Sequence, residues 1–227
     1  MTDPLLFSSQ MTDTAASSPL PDGQALAALV AGKLCHDFIS PAGAISSGLD
    51  LLRDPTAQDM RDDAMGLIEA SAKKMVALVA FARVAFGAST SAERFSGAEL
   101  GELVAGLTEG GRATLEWRVE GGDYTKAQAR ALVNLAYLTM AALPSGGAAA
   151  ISTERSEGLK ICGVAEGPRA RLKPEAVTGL AGRPLADGLP GQWIQPYWLW
   201  LTAHDAGGSL DVEIGEGRVA LTIHMPN

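Results

Sequence analysis

The chain is poor in the residues that build metal and redox sites. It has two cysteines and three histidines in 227 residues. Cys35 and Cys162 lie far apart and are predicted to fall on different elements. They read as reduced thiols packed as small hydrophobes, not as a disulfide framework. Scattered histidines without clustered cysteines argue against a bound metal. Basic residues are missing from the start, since the first Lys or Arg is Lys33. A secretory signal peptide, which opens on a basic stretch, is therefore not expected. Net charge is −8, with no basic block. A surface that tracks nucleic-acid phosphates is therefore not expected. No apolar run is long enough to cross a bilayer, so no membrane contact is expected and the reading is cytoplasmic.

What is there suffices for a real core: 47% of the residues are hydrophobic, and the length suits one large or two small domains. Residues 1–22 are rich in Ser, Thr, Asp and Pro, lack helical period and read as a disordered tail. A helix is predicted over 23–53, capped by Asp22, with Pro41 inside it as a kink. Asp54-Pro55 stops it. A second helix is predicted over 57–86, opened by a capping box of Thr56 and Asp59 and ended by Gly87. Met60, Ala64, Leu67, Ser71, Met75, Leu78 and Ala82 recur at heptad spacing and form one seam. Residues 23–88 thus make an antiparallel hairpin. One hairpin leaves the far side of Leu34, Phe38, Ile45, Leu49 and Leu52 and of the Met60 to Ala82 seam open. Pairing of two copies into a four-helix bundle, a homodimer, closes it.

Residues 88–92 read as a small polar linker. From 93 to 227 the pattern changes to an α/β domain. Helices are predicted over 96–110, 125–143 and 192–206. Strands are predicted over 114–119, 149–153, 159–165, 209–214 and 218–225, mostly antiparallel, with the helices on one face. The fold class is α+β, a helical hairpin followed by an α/β sandwich. Trp193, Tyr197, Trp198 and Trp200 share the last helix and are expected to pack on the sheet.

One stretch carries candidate chemistry. At 100° per residue, His36 falls opposite Leu34, Phe38, Ile45, Leu49 and Leu52. Gly32, Ser40, Gly43, Ser47 and Asp50 lie beside it. A solvent-facing imidazole on a strip of small side chains is open to a large partner, and much of it is neutral and nucleophilic at pH 7. Asp37 could hold one ring nitrogen and leave the other free to attack. On the helical wheel alone, a histidine beside an acid is more often an ordinary solvated residue. His204 also precedes an acid, but it lacks the following proline and the small strip. His204 and His224 are read as structural.

The order of elements resembles the two-domain core of sensor histidine kinases. His36-Asp37-x-x-Ser40-Pro41 looks like their phosphoacceptor box, and Gly207-Gly208-Ser209-Leu210-Asp211-Val212 looks like the end of their ATP-binding domain. The ATP motifs are broken. Asn134 stands where those kinases carry the first of two asparagines, and the magnesium ligand expected four residues on is Leu138, which has no oxygen to offer. Ala165 lacks the carboxylate that would meet adenine, and Arg169 replaces a glycine over which nucleotide would lie. The phosphate loop is reduced to Gly191 and Trp193.

A phosphoacceptor helix without ATP chemistry is similar to the ChpT-type histidine phosphotransferases of alphaproteobacteria. Leu34-Cys35-His36-Asp37-Phe38-Ile39-Ser40-Pro41-Ala42, Gly48-Leu49-Asp50-Leu51-Leu52 and Gly167-Pro168-Arg169-Ala170-Arg171-Leu172 carry the likeness on both halves. The resemblance implies a dimeric phosphorelay protein with no cofactor of its own. Phosphate would pass from the receiver domain of a CckA-like hybrid kinase to His36, and on to response regulators such as CtrA and CpdR. The receiver would supply Mg²⁺. His36 would be the phosphoacceptor and Asp37 its orienter or proton acceptor. Ser40, Gly43 and Ser47 would contact the partner, and Arg169 and Arg171 would dock its acidic face. Two other readings stay open: a divergent ATP-dependent histidine kinase, and a receiver-binding dimer without chemistry.

Overall fold

Asp22 starts the first helix by accepting the backbone N–H of Ala25 at 2.8 Å. In this computed structural model, which describes residues 19–87 and 94–226, helix α1 then runs from Gly23 to Arg53 without a break at Pro41. Residues 1–18 of the expected tail, the whole 88–92 linker and Asn227 lie outside the described residues. The turn after α1 departs from the sequence expectation. Thr56 donates both its backbone N–H and its hydroxyl to Asp54 and makes no capping box with Asp59. The hydroxyl is already used by the nearer carboxylate, which stops α1 and shapes the turn together. A short 3₁₀ turn, Gln58–Met60, leads into α2, Arg61–Ala85.

The two helices pack closely because the contact is built from small residues. A Cβ on Gly48 would come within 2.6 Å of Ile68 Cγ1. Ala64, Ser71 and Ala82 are buried along the same stripe of α2. The predicted heptad seam splits here. Met60 and Leu67 stay exposed, and Leu78 packs against the core of the α/β half. A helix flanked on two sides distributes one apolar stripe between two neighbours.

Beyond residue 93 come β1 (Arg94–Ser96), α3 (Gly97–Thr108), β2 (Ala113–Arg118), β3 (Asp123–Thr125) and α4 (Lys126–Ala141). They are followed by β4 (Gly147–Arg155), β5 (Leu159–Glu166), α5 (Pro174–Leu180), α6 (Pro190–Asp205), β6 (Ser209–Gly215) and β7 (Arg218–Met225). Capping boxes at Ser96/Glu99 and Thr125/Gln128 fix the starts of α3 and α4. Five strands form a sheet in the order β2-β4-β5-β7-β6, antiparallel except for the β2–β4 pair. The three-residue β1 and β3 pair apart from it. Those two strands and α5 are too short to give a period, and the sequence reading had none of them.

Helix α4 is buried along nearly its whole length. It lies between the sheet, which it meets through β5 and β7, and the hairpin, which it meets through α2. Phe81, Val84 and Ala85 of α2 join the same core as Leu132, Leu135, Ile161 and Leu221.

Helix α6 packs differently from the expectation. Leu199 and Ala203 face the sheet core, but Trp193, Ile194 and Tyr197 form a separate cluster against Leu26, Leu29 and Val30 of α1. Trp193 stacks on Tyr197, with centroids 4.4 Å apart, and Trp200 stacks on His204 at 5.0 Å. Burial, and secondarily Asp205, pushes the Tyr197 phenol up. Trp198 donates its indole N–H to the Ala85 carbonyl at 2.9 Å. The tryptophans therefore join the two halves of the chain instead of covering the sheet. An aromatic run reads as core, but which core it enters depends on the crossing of α1 over α6.

Candidate functional site

His36 stands on α1 with its side chain 87% exposed. Lys33, Pro41 and Gly48 are the fully buried positions of α1. Helical period sets His36 on the flank of that face and Cys35 a further 100° round. Cys35 is accordingly exposed, against its expected burial, and Cys162 is half-buried; both thiols are free.

The ring has one held nitrogen. His36 Nδ1 lies 3.4 Å from Asp37 Oδ1, and the other oxygen of that carboxylate lies 2.6 Å from Lys33 Nζ. Lys33 is 8% exposed and Asp37 25%. The Lys33 ammonium also sits 5.5 Å from the centre of the Tyr137 ring. The carboxylate can only accept, so it favours the tautomer with the proton on Nδ1 and leaves the Nε2 lone pair outward.

His36, Asp37 and Ser40 line an open cleft of about 850 Å³ between the hairpin and the α/β half. Its opposite walls are Ser71, Lys74 and Leu78 of α2, the 108–113 turn with Arg112, and the end of α4 from Tyr137 to Pro144. Lys74 reaches across and donates to the Leu107 carbonyl in the last turn of α3, one of the carbonyls that a helix end leaves without an intrahelical partner. The walls thus carry Lys74 and Arg112, with Glu109 as the acid among them. A hollow of this size with cations at its edge can admit an acidic partner surface to the ring.

Of the other expected contact residues, Gly43 and Ser47 are exposed farther along α1 and do not line the cleft. Arg169 and Arg171 are both exposed, with Ala170 buried between them; the segment is not extended but turns at Pro168-Arg169, where the Ala170 N–H donates to the Gly167 carbonyl at 3.0 Å. Arg171 lines a second hollow of about 250 Å³ with Lys33, Tyr137, Leu138 and Lys173. Tyr137 and Ala141 border both hollows. Arg169 lines neither. Lys33, Lys74, Arg112 and Tyr137 were missed from sequence. Lys33 could have been found, since it stands four residues before Asp37 on one helix face. The other three come from separate elements and meet only in the folded chain.

Asn134, Leu138 and Ala165, which the resemblance to kinases set at nucleotide motifs, lie in the interior. Asn134 is fully buried and donates to the carbonyls of Ala85 and Arg130, both at 2.8 Å, while accepting from Gln195 at 3.1 Å. Leu138 is buried, and Ala165 is a core residue of β5 paired with Ala149 and Val219. Among the described residues, no group of three His, Cys, Asp or Glu side chains could hold a metal ion. No described helix is long and apolar enough to cross a membrane.

The family model of the histidine phosphotransferase C-terminal domain matches residues 97–218. Protein phosphotransferase ChpT of Brucella abortus (strain 2308) is 30% identical over 189 residues, 82% of this chain and 89% of that protein. A solved bacterial phosphotransferase superposes with a TM-score of 0.80 and 25% identity, covering 92% of this chain and all of the other. A blue-light activated histidine kinase domain from Erythrobacter litoralis aligns at a TM-score of 0.46 and 13% identity, over 82% of this chain and 95% of that one.

Proposed function

The chain belongs to the histidine phosphotransferase family, and on that premise we propose that His36 is the residue through which phosphate enters and leaves. The observation that carries this reading is the pairing of an exposed imidazole with one anchored nitrogen and an open cleft. In the uptake step, Nε2 attacks the phosphorus of an aspartyl phosphate on a receiver domain. The N–P bond forms as the acyl P–O bond breaks, and the receiver carboxylate leaves with the electron pair. The Nδ1 proton stays on the ring, and the Asp37 carboxylate faces the positive charge that develops there. Onward transfer to a second receiver reverses these bond changes. Charge on the phosphoryl oxygens is met by the receiver's own Mg²⁺, so this chain supplies the nucleophile and the docking walls.

The donor in this reading is the receiver domain of a CckA-like hybrid kinase. The acceptors are CtrA- and CpdR-like regulators, and the relay runs in the cytoplasm. The filled positions of Leu138 and Ala165 support a transferase that does not phosphorylate itself from ATP. A homodimer fits the surface left open on the hairpin. By helical period, half-exposed Leu34, Phe38, Ile45 and Leu52 and exposed Leu49 fall on the side of α1 away from His36. Exposed Met65, Val76 and Val79 fall by the same period on the side of α2 away from the cleft-lining Lys74. Pairing there places two clefts on opposite faces of a four-helix bundle.

The test uses a phosphorylated hybrid-kinase receiver freed of ATP. Wild-type protein should acquire acid-labile, base-stable phosphate, and His36→Ala should acquire none while keeping its melting temperature, since the ring is exposed. Phosphate on the Ala variant moves the chemistry to another residue. Phosphate acquired from ATP alone, with no receiver present, identifies a kinase instead.

A further inference from the structure

Lys33 is buried, charged and one turn before the phosphoacceptor, and the phosphotransfer reading of His36 does not itself require it. A lysine head group is rarely taken out of water unless a partner holds it. Here the partner is the carboxylate that faces His36: Nζ lies 2.6 Å from Asp37 Oδ2, and Oδ1 of the same group lies 3.4 Å from His36 Nδ1. The three side chains form one chain along a little over a turn of α1.

The backbone beneath them is short of a bond. Pro41 has no N–H to give to the Asp37 carbonyl, so the helix cannot pin Asp37 from its C-terminal side. The ion pair with Lys33, one turn earlier, holds the Asp37 side chain. The Tyr137 ring of α4 lies 5.5 Å from the ammonium and borders both hollows. The surrounding cations point the same way. Lys74 and Arg112 stand across the cleft, and Arg171 and Lys173 stand behind Lys33.

Resting on the phosphotransfer reading of His36, we propose that Lys33 is a positioning residue that clamps Asp37 so that Nδ1–H of His36 is held and Nε2 is presented to the receiver. The ammonium occupies one carboxylate oxygen. The other then meets the ring from a fixed direction, before and after the phosphoryl group is bound. Without the clamp the carboxylate is free to turn to water or to Lys74. The ring then loses both its preferred tautomer and its aim.

The experiment has two arms on the full-length protein. In the first, ¹⁵N spectra of histidine-labelled protein are read at a pH where the ring is neutral. Wild type should show His36 with its proton on Nδ1, and Lys33→Met should shift the ring toward the Nε2–H form that free histidine favours. In the second, single-turnover transfer from a phosphorylated receiver should slow about ten-fold or more in Lys33→Met, as expected for a misaimed nucleophile. Receiver affinity should stay within about two-fold, since the buried ammonium is not on the docking surface. Lys33→Arg should recover the rate. Lys33→Met should add nothing in an Asp37→Asn background, because both act through one carboxylate. A wild-type spectrum with the proton on Nε2 overturns the proposal even if Lys33→Met does not fold. So does a Lys33→Met protein with unchanged spectrum and rate, or an effect that adds to that of Asp37→Asn. The spectroscopic arm needs no partner, so its failure is separate from failure of phosphate uptake at His36.

Discussion

Single side chains around His36 divide by what they can touch. Arg112 and Lys74 line the cleft itself, Arg171 lines the adjoining hollow, and Arg169 lines neither. Charge at a docking rim acts chiefly on the encounter rate and is screened by salt. Arg112→Glu is therefore expected to slow phosphotransfer several-fold at low ionic strength and much less at about 0.5 M salt. Arg171→Glu should follow with a smaller effect, and Arg169→Glu should be the mildest of the three. Stopped single-turnover assays at two salt concentrations check the order. Equal effects from all three would place the receiver across the whole α/β face and not in the cleft.

At the scale of elements, the seam between hairpin and sheet is held by few directional bonds. The Ala85 carbonyl at the end of α2 accepts from Asn134 of α4 and from Trp198 of α6. Asn134 also accepts from Gln195, so α2, α4 and α6 meet at one polar point inside an apolar surround. Asn134→Ala should cost about 1–3 kcal/mol, because the buried Gln195 amide loses its acceptor. Trp198 still serves the Ala85 carbonyl and limits the loss. Urea unfolding measures it, and a change under about 0.5 kcal/mol would mean that water replaces the asparagine. Asn134 is thus a joint between three helices.

For the whole molecule, the open side of the hairpin decides assembly. Fully burying a Val, Leu or Met side chain is worth about 1.5–3 kcal/mol, so a patch of eight such residues is a strong reason to pair. Light scattering at micromolar concentration should return twice the 23.5 kDa chain mass. Val76→Glu with Val79→Glu should return the single mass with the α/β half still folded, because both are exposed in the isolated chain. A wild-type monomer would contradict the pairing, and a dimer unaffected by both charges would move it elsewhere.

The long elements were legible in the sequence because period and punctuation agree in them. Asp22 and Asp54-Pro55 bound α1 as expected, and the exposure of His36 followed from its angle on the wheel. What the tertiary structure decided is where those elements meet. Short strands and α5 carry too few residues for a period, and the wheel cannot say which neighbour an apolar stripe will find. Hence Leu78 and the tryptophans of α6 went to partners that the pattern did not name. The walls of the cleft, with Lys74, Arg112 and Tyr137 drawn from three separate elements, exist only once α3 and α4 pack beside the hairpin. Local chemistry is written along the chain at spacings of three and four residues; a cleft is a relation between surfaces, which only packing sets.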